Sequence, residues 1–236
     1  MKRLAVFALA MISLPAWAAD DSARYQACVG QAESNPQAAL ATANAWQNGG
    51  TAAAHCAALA LVGLKRYGEA AAKLDTLARS AGLDLSLRGE ILGQAGNAWL
   101  LAGNAKNADA SFAAELILNP RDPDAFTDAA RAKAALKDWA GAESHLTAAL
   151  AINARRPDLL VLRASARHAL KKTVEARADL EKALALQPGM PDALVERGEM
   201  KREAGDGAGA RADWQAAARG NGEAADAARK FLSETP

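Results

Sequence analysis

Residues 157–190, PDLLVLRASARHALKKTVEARADLEKALALQPGM, decide the fold. Leu180, Leu184 and Leu186 are spaced to give a helix one buried face. Pro157 sits where a helix can begin, since its fixed φ suits the first helical position and its missing amide proton needs no partner there. Gln187-Pro188-Gly189 stops the chain again. Laid beneath this stretch, Pro123–Arg156 and Pro191–Gly222 repeat its landmarks. Pro-Asp recurs at Pro123-Asp124, Pro157-Asp158 and Pro191-Asp192. A small residue fills one column (Ala130, Ala164, Gly198) and alanine another (Ala142, Ala176, Ala210). A bulky apolar residue follows (Leu146, Leu180, Trp214), then Ala149, Ala183 and Ala217. Repeats of this length mark helix hairpins that bury a core only against their neighbours.

Working outward, a further unit occupies residues 89–122, ended by Asn119-Pro120, and degenerate units occupy 22–50 and 51–88. The first of these pairs Ser22–Glu33 with Pro36–Trp46, and the second pairs Ala52–Leu64 with Tyr67–Ser80. Leu83–Arg88 are extra residues before the third hairpin, Gly89–Ala102 with Ala105–Leu118. A helix of mixed polarity at 223–232 is expected to cap the open end. No long linker interrupts the run, so residues 19–236 are expected to form one elongated domain. Before them, Lys2-Arg3, the largely apolar run Leu4–Leu14 and Ala16-Trp17-Ala18 have the form of a secretory signal over residues 1–18 with an A-x-A cleavage site. The run is short of the roughly 20 residues that span a bilayer. The expectation is an exported, periplasmic chain without a retained anchor.

The composition supports helices. Alanine, the best intrinsic helix former, accounts for 64 of 236 residues, against only 5 Trp, 4 Phe and 2 Tyr. Without Lys2 and Arg3, 26 basic side chains face 27 acidic ones, and the two signs are interleaved. Nucleic-acid binding needs a basic stripe, and the sequence has none. Cys28 and Cys56 make an even count, which in an exported chain favours a disulfide over two buried thiols. They lack the C-x-x-C spacing of a redox dithiol.

The repeated columns resemble the tetratricopeptide repeat family. Leu160, Ala164, Ala176, Leu180, Ala183 and Pro188 occupy its signature columns, as do Gly96, Trp99, Ala108, Phe112 and Pro120 in the unit at 89–122. Ala58, Leu64, Tyr67-Gly68-Glu69-Ala70 and Leu74 carry the likeness into residues 51–88. The resemblance implies an all-α, right-handed solenoid of antiparallel hairpins. Three departures stand out. Glu115 replaces a usual small residue. The column that usually holds Tyr contains Trp99, Lys133, Arg167 and Lys201. Arg163 and Arg197 enter a column that holds Ala95 and Ala129 elsewhere, and only those two units have Asp sixteen residues later, at Asp179 and Asp213. Arg163–Asp179 and Arg197–Asp213 pairs are expected to tie first helix to second, in the bidentate geometry that suits arginine.

Motif chemistry is absent. His55, His145 and His168 are far apart in sequence, and a metal at His55-Cys56 would lack ligands at suitable spacing. No G-x-S-x-G, H-E-x-x-H, Walker or G-x-G-x-x-G pattern occurs. No catalytic residue, metal or cofactor is expected. The family resemblance instead implies a concave groove lined by successive first helices. It would take Asn97 from one helix and Asp124, Asp128 and Arg131 from the next. Asp158, Val161, Leu162, Ser165 and His168 would follow, then Asp192, Glu196, Glu199 and Arg202. Carboxylates outnumber bases there and Val161-Leu162 adds an apolar spot, which points to a protein or peptide partner of basic and apolar character. The Lys, Arg and Asn pattern with which family members hold carboxyl termini is incomplete, because only Asn97 fits it. The expectation is a non-enzymatic protein-interaction scaffold of the cell envelope. The rival readings are an envelope enzyme or binder of glycan or small molecule, and a self-assembling structural module.

Overall fold

The computed structural model describes residues 19–234, and the expected signal segment lies outside the described residues. The described residues form helices joined by short turns, with no strand among them. They divide into two compact units, one ending at Leu136 and the other beginning at Lys137.

The N-terminal unit holds α1 (Ala19–Ser34), α2 (Pro36–Asn44), α3 (Gly50–Gly63), α4 (Tyr67–Ala78), α5 (Leu85–Leu101), α6 (Ala105–Leu118) and α7 (Pro123–Ala135). Each helix packs on the next, and the alternate pairs α1 with α3 and α5 with α7 also touch. The extra residues anticipated before the third hairpin belong to it. Asp84 accepts a hydrogen bond from the Leu87 amide at 2.8 Å and starts α5 at Leu85, so the insertion becomes an added turn of helix. Cys28 on α1 and Cys56 on α3 are disulfide-bonded, their Cα atoms 6.0 Å apart, inside a core of Ala32, Ala39, Ala43, Ala57 and Ala60. Alanine at these positions is what brings three helices close enough for the bridge.

The C-terminal unit holds α8 (Trp139–Ile152), α9 (Pro157–Ala169), α10 (Thr173–Leu186), α11 (Pro191–Glu203), α12 (Gly207–Ala217) and α13 (Glu223–Glu234). Here too sequential helices pack, and α9 touches α11 as α11 touches α13. The last helix covers the end of this unit with Phe231, whose ring lies 5.1 Å from that of Trp214.

Two local rules repeat through both units. In every hairpin after the first, the turn has one residue in the left-handed region, and Lys65, Gly103, Lys137, Lys171 and Gly205 supply it with φ of 59–84°. Asn104, Asp138 and Asp206 then cap the following helix through the amide three residues on. The hairpin interior obeys a size rule as well. Leu180 shares its hairpin with Ala164 in the small-residue column, whereas Phe112 and Trp214 lie against Gly96 and Gly198. A Cβ on Gly96 would stand 2.5 Å from the Phe112 ring, so the aromatic ring requires glycine opposite it.

Candidate functional site

Polar side chains join the hairpins, and their offsets recur. Trp99 Nε1 donates to Asp75 at 2.8 Å, Lys133 Nζ to Asp109 at 2.9 Å and Arg167 Nε to Glu143 at 2.9 Å. Each bond links a first helix to the second helix of the preceding hairpin, 24 residues earlier. At Lys201 that offset falls on Arg177, a like charge, and Lys201 turns instead to Asp213 at 2.9 Å. The expected arginine pairs are present in forked form. Arg163 reaches Asp179 at 2.8 and 2.7 Å, and Arg197 reaches Asp213 at 2.9 and 2.7 Å. Arg167 adds a third bond to Asp179, at 2.8 Å. Burial opposes charge on Asp213, but its bonds from Arg197 and Lys201 outweigh that and hold its carboxyl below the usual range. Glu143 is lowered against its own burial by Lys172 and Arg167.

Apart from the Lys133–Asp109 ion pair, the N-terminal unit relies on neutral donors. His55, buried in α3, has Nδ1 2.6 Å from the Tyr25 hydroxyl and Nε2 2.6 Å from Gln94 Oε1. Burial lowers the His55 pKa despite the Gln94 bond, while burial and Glu90 push Tyr25 up to about 12. Both rings therefore stay uncharged at neutral pH. Ser111 donates to Asp75 at 3.0 Å, sharing it with Trp99. A cavity of about 570 Å³ opens beside this cluster among α4, α5 and α6, with Arg79, Arg88 and Asn107 in its wall.

The residues expected to line a groove fall on two first-helix surfaces. In the N-terminal unit Asn97 on α5 donates to Asp128 on α7 at 2.9 Å, and Arg131 donates to the other Asp128 oxygen at 2.7 Å. Asp124 and Arg131 are exposed. In the C-terminal unit Asp158 is held in a fork by Arg156 at 2.9 and 2.7 Å, which lowers its pKa. His168 stands between Glu203 at 2.9 Å and Glu196 at 3.5 Å, and Arg202 pairs with Glu199 at 3.1 Å. Ser165 donates back to the Val161 carbonyl at 3.3 Å. Asp192 is exposed and Leu162 half-buried, but Val161 is buried, so Leu162 supplies the apolar contact that the sequence assigned to both.

One residue on a second helix stands out in the sequence only as a departure. Glu115 on α6 is 8% exposed, and its Oε2 has no hydrogen-bond partner. It lies over Gly93 of α5, where a Cβ would stand 2.6 Å from Oε1. Burial, then Asp128 and Asp122, push its pKa up to about 8. The signal available in sequence was the coincidence of a Glu in a small-residue column with a glycine on the facing helix.

Among the described residues no group of three or more His, Cys, Asp or Glu is arranged to hold a metal ion, and no helix is long and apolar enough to cross a membrane. No family model and no curated protein matches the sequence. Solved structures do. The chain has the tetratricopeptide repeat fold. It is similar to a tetratricopeptide repeat protein from Parabacteroides merdae, with a TM-score of 0.62 and 19% identity over 93% of this chain and 85% of that one. A thermophilic TPR protein of Thermus thermophilus gives 0.61 and 20% identity, over 78% of this chain and 97% of that one. YrrB, described as a TPR protein with an unusual peptide-binding site, gives 0.61 and 19% identity over 72% and 88%.

Proposed function

We propose that this protein is a non-enzymatic scaffold of the cell envelope that holds a partner protein or peptide against its first helices. One observation carries the reading. Within each unit successive first helices touch, α5 with α7 and α9 with α11, and among the side chains expected to line their groove carboxylates outnumber bases. Asp124 and Asp128 stand against Arg131 in one unit, and Asp158, Asp192, Glu196 and Glu199 stand against Arg202 and His168 in the other. A surface with this bias favours a basic segment, and Leu162 favours an apolar side chain within it. The use of the same fold for peptide binding in YrrB supports the reading. The envelope setting rests on the leader-like residues 1–18 and on the Cys28–Cys56 bond, which suits an oxidising compartment.

In-cell crosslinking of the full chain followed by mass spectrometry tests this. The expected result is a reproducible partner, in the envelope fraction, that is lost when Asp124, Asp158 and Asp192 are changed together to Lys. Capture that ignores the charge reversal contradicts a first-helix site. Capture of this chain alone turns the reading to self-assembly.

A further inference from the structure

We infer that the cavity among α4, α5 and α6 is a binding site for a small organic carboxylate with an apolar body. The inference is independent of the scaffold reading, because the ligand is a small molecule and its site lies between the second helices α4 and α6.

The cavity measures about 570 Å³, within the roughly 300–1,000 Å³ of small-molecule sites. Its three helices belong to the N-terminal unit, and the exposed wall residues Arg79 and Ala110 mark its opening to solvent. The repeat register shows why space is left here. Asp75, Arg79, Ala95 and Ser111 correspond, two repeats on, to Glu143, Thr147, Arg163 and Asp179. In the C-terminal unit the Arg163 side chain fills the corresponding space, forked on Asp179 at 2.8 and 2.7 Å and reaching the Thr147 hydroxyl at 3.4 Å. With Ala95 in that column, the N-terminal unit has no long side chain to fill it. Cations arrive from other positions instead. The added turn at the start of α5 brings Arg88 into the cavity wall, and the end of α4 brings Arg79.

These arginines differ from Arg163, Arg167 and Arg197, each of which holds a carboxylate. Neither forms an ion pair among the described residues. Arg79 Nη2 has the Thr76 hydroxyl at 3.4 Å, and Arg88 Nη2 has the Ser80 carbonyl at 3.4 Å. The buried Arg88 Nε has no hydrogen-bond partner, a cost that calls for an explanation. Each guanidinium carries five N–H donors, so most of theirs are unspent. Asp75, in the same wall, does not meet that demand, because its oxygens accept from Trp99 at 2.8 Å and Ser111 at 3.0 Å. The site therefore has donors in surplus, and its two arginines against one aspartate leave one positive charge. A monoanion balances that charge, whereas a phosphate dianion would bring net negative charge beside Asp75. A carboxylate also matches the guanidinium fork in two parallel bonds. Ala78, Leu92 and Ala114 line the rest of the wall and suit a hydrocarbon body.

The test is calorimetric titration of the full chain with acetate, hexanoate and 3-phenylpropionate, alongside 3-phenylpropionamide and inorganic phosphate. Affinity should rise along the three carboxylates as the apolar body grows. The amide keeps the body and loses the charge, and it should bind at least about tenfold more weakly than its acid. Arg79→Gln and Arg88→Gln should each weaken 3-phenylpropionate about tenfold. Unchanged melting shows that the variants fold, and if Arg88→Gln melts lower, the exposed Arg79→Gln carries the comparison. The Arg88 Nε–H resonance, assigned by its loss in Arg88→Gln, should shift with 3-phenylpropionate and stay in place with the amide. The inference is overturned if no carboxylate binds up to about 10 mM, or if the amide binds as tightly as the acid. Phosphate preferred to every carboxylate, or unchanged affinity in the folded variants, overturns it equally. Changing Asp124, Asp158 and Asp192 together to Lys should leave carboxylate binding intact, so failure of this site and failure of the scaffold reading are told apart.

Discussion

The two units use one repeat and hold it together by different physics. In the N-terminal unit a disulfide joins α1 to α3, and buried polar groups meet largely through neutral donors: Tyr25, His55 and Gln94 in a row, Trp99 and Ser111 on Asp75. In the C-terminal unit the corresponding positions are charged. Arg163, Arg167, Arg197 and Lys201 converge on Asp179, Glu143 and Asp213, with Lys172 joining Glu143. The lesson is that the repeat fixes where two helices must be joined and leaves open how. At the sixteen-residue offset Ala95 shares its hairpin with Ser111, while Arg163 takes Asp179.

The difference can be broken at its strongest point first. Replacing Cys28 and Cys56 by Ser removes a crosslink whose loop closure is worth about 3–4 kcal/mol. Hydrogen exchange should quicken in α1–α3 and leave α9–α12 unchanged; equal loosening of both units would refute separate support. Next in size, Asp179→Ala strands Arg163 and Arg167 around a buried site and should cost about 3 kcal/mol by chemical denaturation. A compensating Arg163→Leu should recover part of that loss, and strict additivity of the two changes would mean no coupling. The third test is pH. The folded pKa of Glu115 lies above its unfolded value, so the stability tied to its proton is complete below about pH 4 and is lost as pH rises through about 8. Glu115→Gln should therefore gain on the order of 2 kcal/mol over the unsubstituted chain at about pH 9 relative to about pH 5. The carboxyls of Asp213 and Glu143 run the other way, their folded pKa values being lowered. Their contribution holds above the ordinary carboxylate range and fades on acidification, so the C-terminal unit should loosen as pH falls below about 4. The smallest effect is a control. Arg66→Ala breaks a forked pair with Glu69 that is solvent-exposed on both sides, and melting should not move.

Much of the fold is legible because the repeat writes its packing into columns. Pro157, Ala164 and Leu180 announce one hairpin, and repetition of those columns announces the neighbours against which it packs. The Arg–Asp offset is legible for the same reason, being present in two units and missing in two. The 24-residue links are not, although Asp75, Asp109 and Glu143 form a column matched to Trp99, Lys133 and Arg167. Their partners change chemical type from unit to unit, so no residue identity recurs to draw attention. The added turn at Leu85 is hidden by its length, since residues inserted before a helix look like linker until a cap such as Asp84 is recognised. The surface residues follow from the first-helix pattern, but the burial of Val161 and of Glu115 depends on neighbours that a column cannot show.

The central claim is that partners meet the first helices and not the second. Site-specific photocrosslinking in cells tests it most directly, with benzoylphenylalanine placed in turn at Arg131 and Leu162 on first helices and at Ile117 and Arg177 on second helices, the latter two well exposed. A shared partner should be captured from Arg131 and Leu162 and not from Ile117 or Arg177. Capture of that partner from the second-helix positions alone would contradict the claim.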